Sequence, residues 1–150
     1  MSYQEKSVTV SLFSSLLILG YYLTNILRMY FGEGLVSGQV FRLAGIVIAA
    51  GILVNITANI LTNIILSIVH AIRTGGKEEE RFIEDERDNL IGLKGTRFSY
   101  IVFSIGVLLA MISFVAGQPA LVMFSLIVLF GLVAEIIGDL VQIAMYRRGF

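Results

Sequence analysis

Residues Lys77–Arg97 read KEEERFIEDERDNLIGLKGTR, and this one polar stretch carries 12 of the 22 charged side chains in a chain of 150 residues. On both sides of it the sequence is apolar: the chain is 57% hydrophobic and 15% charged, with a mean hydropathy of +0.87. That balance lies far outside the range of soluble globular domains and points to an integral membrane protein. The charged stretch then divides two membrane-embedded halves of similar length.

Four apolar runs reach bilayer length: 8–31, 43–69, 98–116 and 120–146. About 20 helical residues cross roughly 30 Å of hydrocarbon. In lipid the backbone has to satisfy its own N–H and C=O groups, and for open runs this long only a helix does so. The expectation is an all-α, integral membrane bundle of four transmembrane helices, arranged as two hairpins, within a single domain spanning 1–150. The first run has no small-residue cleavage site and reads as an uncleaved span. A short glycine-containing link joins the first two spans, and Gly117-Gln118-Pro119, with the chain's single proline, turns the third into the fourth. The middle connection, 71–97, is long and charged.

Lysine and arginine set the orientation. If the N-terminus is cytoplasmic, nine of them face inward and only Arg28 and Arg42 face outward. Both termini and the charged segment are therefore expected on the cytoplasmic side. Within that segment the sequence predicts a short amphipathic helix from about Lys77 to Ile91, acidic at its start as the helix dipole favours. Gly92 and Gly95 follow it and offer a place to bend. Small residues mark close helix approaches: Ser99, Gly106, Ala110, Ser113 and Gly117 along the third span, and Gly131, Ala134 and Gly138 along the fourth.

Two polar stripes lie inside the apolar runs. Asn55, Asn59 and Asn63 recur every four residues on the second span, and Glu135, Asp139 and Gln142 share one face of the fourth. Counting from the span midpoints places Glu135 at the depth of Asn59 and Asp139 at that of Asn63. A carboxylate so deep costs several kcal/mol unless protonated, paired or wetted, so these side chains belong in the bundle interior. One reading makes Glu135 and Asp139 a proton- or cation-binding site with the asparagines as amide partners. The other makes the set a hydrogen-bonded network that fixes helix pairing, with Glu135 in its acid form donating to Asn59.

Several chemistries are excluded or weakened. Without cysteine there are no disulfides, thiolate nucleophiles or cysteine metal sites, and a single histidine removes most histidine-based metal and triad chemistry. The acidic residues of the middle segment lack the glycine-turned spacing of a calcium loop. No phosphate-binding loop, nucleophile elbow or zinc-protease motif occurs. A formal charge of zero gives no basic surface for direct nucleic-acid binding. The residues therefore indicate no enzyme, no metal and no cofactor.

Across Glu84–Tyr100, EDERDNLIGLKGTRFSY, the chain resembles a family of small four-span prokaryotic membrane proteins of unknown function. There an acidic DERD-type motif precedes a Lys, an Arg and a Tyr at the mouth of the next span. The pattern maps onto Asp85, Glu86, Arg87, Asp88, Lys94, Arg97 and Tyr100. The resemblance implies residence in the prokaryotic cytoplasmic (inner) membrane and, because such proteins are often encoded beside small helix-turn-helix regulators, a cytoplasmic regulator as partner. It brings no catalytic activity with it. The leading expectation is a non-enzymatic, regulatory or partner-binding membrane protein acting through its charged segment. The alternative is a small transporter or ion- or proton-conducting homo-oligomer using Glu135 and Asp139.

Overall fold

A computed structural model describes residues 3–32, 34–74 and 86–148, together with most side chains outside the C-terminal half of the second helix. Four helices follow in order: α1 (Tyr3–Phe31), α2 (Ser37–Thr74), α3 (Glu86–Val115) and α4 (Ala120–Arg147). Each contains a stretch long and apolar enough to cross a membrane: Ser7–Phe31, Ser37–Thr57, Arg87–Val115 and Ala120–Arg147. Their outward faces are apolar as well, with Phe13, Leu17, Ile52, Ile105 and Val115 all exposed. Water would penalise contiguous apolar surface of this kind, whereas lipid matches it. The chain is a small integral membrane protein with four spans.

Local chemistry explains the tight connections. At the end of α3, Gly117 N–H donates to Phe114 O at 3.0 Å and Gln118 N–H to Ser113 O at 3.1 Å, the paired bonds of a Schellman stop. Gly117 has φ +92, a left-handed conformation that a Cβ disfavours. Pro119 then caps α4 with φ −58, and its carbonyl accepts from Val122 N–H at 2.9 Å. Gly117→Ala is expected to lower stability by about 1–2 kcal/mol through backbone strain alone, measurable by unfolding in mixed micelles. Gly34, at φ +85, serves the α1–α2 link in the same way.

The four helices are not equivalent, because α4 packs on α3 most extensively, on α1 next and on α2 least, while α2 rests chiefly on α1. Among the described residues, helices α2 and α3 share no extensive interface. The α3–α4 seam uses the small residues expected from the sequence: Ala110, Ala134 and Gly138 are buried, and a Cβ at Gly138 would collide with Ser99 Oγ. Gly117 is the exception in that stripe, since it lies in the turn and not in the interface. On the other side of α4, Tyr22, Leu43, Val47 and Leu132 form the buried core that joins α1, α2 and α4. Tyr22 donates its hydroxyl to Ser125 O at 2.8 Å, so the one polar atom of that ring is satisfied. Glu5 and Arg147, at the start of α1 and the end of α4, approach to 3.5 Å and place both ends of the chain on one side of the bundle.

The charged segment departs from expectation in its second half. No separate helix ends near Ile91; instead α3 begins at Glu86 and runs without a break through Gly92 and Gly95 into the span. Two glycines cost a helix only about 1 kcal/mol each, and Gly95 has a packing reason, since a Cβ there would strike the Gln142 side chain of α4. The first half of the expected helix, 77–85, lies outside the described residues.

Candidate functional site

Glu135 sits halfway along α4 and is half-buried. Asn55 of α2 donates Nδ2–H to Glu135 Oε1 at 2.7 Å, and the same nitrogen reaches Gly51 O one turn back at 3.2 Å. The bond to its own helix aims the asparagine amide at the carboxylate. This is a side-chain link between two spans that otherwise touch little, and in a bilayer such links contribute about 0.6 kcal/mol on average and up to about 1.7.

Among the described residues the partner is Asn55, one turn from the Asn59 that depth counting selected. The side chains of Asn59 and Asn63 lie outside the described residues. Measured from the actual helix starts, Asn55 lies about 27 Å into α2 and Glu135 about 23 Å into α4, whereas Asn59 is about 33 Å in. The offset arises because α2 begins at Ser37, six residues before the apolar run used for the count.

The α4 stripe fans out over three neighbours. Glu135 meets α2. Asp139, one turn further, is buried with Ser11 of α1 beside it, and among the described residues its Oδ2 has no hydrogen-bond partner. Gln142 lies against Gly95 of α3. A 60° sector on a helix at the centre of a bundle is wide enough to address several helices, so one sequence face becomes three separate contacts.

Two cavities meet at Glu135. The larger, about 550 Å³, is lined by α2 and α4 with Phe103 of α3, and Asn55 and Glu135 both border it. A second, about 280 Å³, is lined by Thr96, Ser99, Tyr100 and Glu135 on the α3 side. Phe103 and Gly131 border both.

At the terminal side of the bundle, Arg87, Lys94 and Arg97 are exposed on α3. They fall within an arc of about 80° at 100° per residue. Leu90, Leu93 and Tyr100 are exposed nearby at 57, 68 and 68%. Asp88 is partly buried; Glu86 starts the helix, and Asp85 lies outside the described residues. The expected motif is thus split between a rigid helical part and a preceding part that is not described.

Sequence reasoning missed Ser11, Tyr22 and the Glu5–Arg147 pair. Glu5 and Arg147 could have been found as opposite charges at ends expected on one side, whereas Ser11 has no distinguishing signal among Ser7, Thr9, Ser14 and Ser15. Among the described residues no group of three or more His, Cys, Asp or Glu could hold a metal ion. Comparison with known proteins finds no matching family model, no matching curated relative and no matching solved structure.

Proposed function

We propose that the chain is a non-enzymatic membrane protein of the prokaryotic cytoplasmic membrane, both termini inside, which docks a cytoplasmic partner on the inner end of α3. The observation that carries this reading is the exposed Arg87, Lys94 and Arg97 face on a helix continuous with the third span. A cation cluster held on a rigid helix loses little entropy on binding and favours an acidic partner surface. A small helix-turn-helix regulator with such a surface fits. Because α3 packs tightly on α4, a partner held there is mechanically connected to the Glu135 region.

A photo-cross-linker in place of the exposed Leu93 should capture that partner in intact membranes. Reversing Arg87 and Arg97 to glutamate should abolish capture, while changing fold stability by no more than about 0.5 kcal/mol per lost exposed pair. Unchanged capture after both reversals would remove the docking role.

Asp139 supports a second reading, movement of protons or cations through the bundle. A buried carboxylate with one unpartnered oxygen, one turn from a second carboxylate in mid-membrane, is expensive to keep for structure alone. Glu135→Gln and Asp139→Asn should each abolish flux into proteoliposomes if that reading holds, with the fold retained.

A further inference from the structure

The large cleft between α2 and α3 is shaped like a ligand site. Its volume of about 550 Å³ lies within the roughly 300–1,000 Å³ of small-molecule pockets, and its lining has their character: mostly apolar and aromatic, with few polar groups. Ile52, Phe103, Phe124 and Val128 form the walls. Among the described residues, Asn55 and Glu135 are the two polar side chains of the lining, and no lysine or arginine faces it. Among the described residues α2 and α3 make no extensive contact, which leaves the cleft open sideways, toward lipid.

We propose that this cleft binds a lipophilic organic monocation, an amine or onium compound of drug size, which enters from the bilayer and sets its charge against the Glu135 carboxylate. Charge complementarity selects the class. An anion would meet a carboxylate in a low-dielectric site, and a neutral amphipath would leave that carboxylate unpaired at depth, which is costly. A cation with apolar substituents satisfies the walls and the floor together, and the rings of Phe103 and Phe124 add cation–π attraction. Asn55, hydrogen-bonded to Glu135 Oε1, holds the carboxylate in place and acts as a positioning residue. This site does not depend on partner docking at α3. It gives the second reading above a cargo class, and because binding is measured at equilibrium without flux, failed binding and failed transport are distinguishable.

The test uses the full chain in nanodiscs with radiolabelled tetraphenylphosphonium, and tetraphenylborate as an anion of the same size and shape. Two variants probe separate parts of the site. Glu135→Gln keeps the floor's shape and removes its charge. Gly51→Phe fills the cleft from a lining position where an added Cβ meets nothing within 4 Å. Thermal unfolding of both variants checks that they are folded. Saturable phosphonium binding, with borate excluded and at least a tenfold loss in each variant, is the expected result. Equal binding of phosphonium and borate, no saturable phosphonium binding, or full binding by folded Glu135→Gln overturns the proposal. Binding lost in Glu135→Gln but retained in Gly51→Phe also overturns it, since the cation would then reach the carboxylate from the Thr96–Tyr100 side.

Discussion

Gly106→Leu is expected to unseat α3 from α4 and to cost about 3 kcal/mol or more, the upper end of the range for overpacked interiors. A Cβ at Gly106 would fall on the Cβ and Cγ of Phe130. The Phe130 Cβ is fixed by the α4 backbone, so rotating the ring about χ1 does not clear the clash and the helices have to separate. Separation is costly because helices in lipid gain nothing from the hydrophobic effect and are held by close van der Waals fit. Two controls give the prediction its shape. Gly45→Ala, at a helical site where a Cβ meets nothing within 4 Å, should be neutral or stabilising by up to about 1 kcal/mol. Adding Phe130→Ala to Gly106→Leu should recover part of the loss, because the space taken by one side chain is vacated by the other. Unfolding in mixed micelles of lipid and denaturing detergent measures all three. Equal stability of Gly106→Leu and the unsubstituted chain would mean that α3 and α4 do not meet as described.

Tyr22→Ala should destabilise the other half of the bundle by about 3 kcal/mol, the low end of the range for truncating a buried aromatic ring. The low end applies because lipid solvates the unfolded helices, leaving cavity and lost contacts as the main cost. Tyr22 is 1% exposed and touches the only core that joins α1, α2 and α4 among the described residues. Tyr22→Phe isolates the hydroxyl bond to Ser125 O and should cost about 1 kcal/mol. A loss from Tyr22→Phe as large as that from Tyr22→Ala would place the ring outside the core and its hydroxyl in a stronger network.

The spans were legible because hydropathy reports the lipid boundary directly. Helix ends were less so: α1 begins five residues before its apolar run and α3 twelve before, since a helix continues past the hydrocarbon edge into charged sequence such as Arg87 and Lys94. Hydropathy contains no signal for that continuation. The Gly117–Pro119 turn was legible because a left-handed residue and a fixed proline φ leave few alternatives. Gly92 and Gly95 suggested a bend, but burial of Gly95 against Gln142 favours an unbroken helix, and that contact depends on tertiary placement. Of the polar stripes, Asp139 is buried and Glu135 half-buried, whereas Asn55 is exposed and reaches Glu135 from the surface of α2. Their pairing was not legible, because one turn of register between two spans, about 6 Å, is set by where each helix starts.

Every role assigned to the inner end of α3 requires that end to lie in the cytoplasm, and the lack of native cysteine makes this directly measurable. Single cysteines at Ser37 and Gln118, at the loop side of the bundle, and at Arg87 and Arg148, at the terminal side, are challenged in intact cells with a membrane-impermeant maleimide. Ser37→Cys and Gln118→Cys should label at once, and Arg87→Cys and Arg148→Cys only after the membrane is opened. Labelling of Arg87→Cys in intact cells would put the Arg87–Arg97 face outside and contradict cytoplasmic docking on α3.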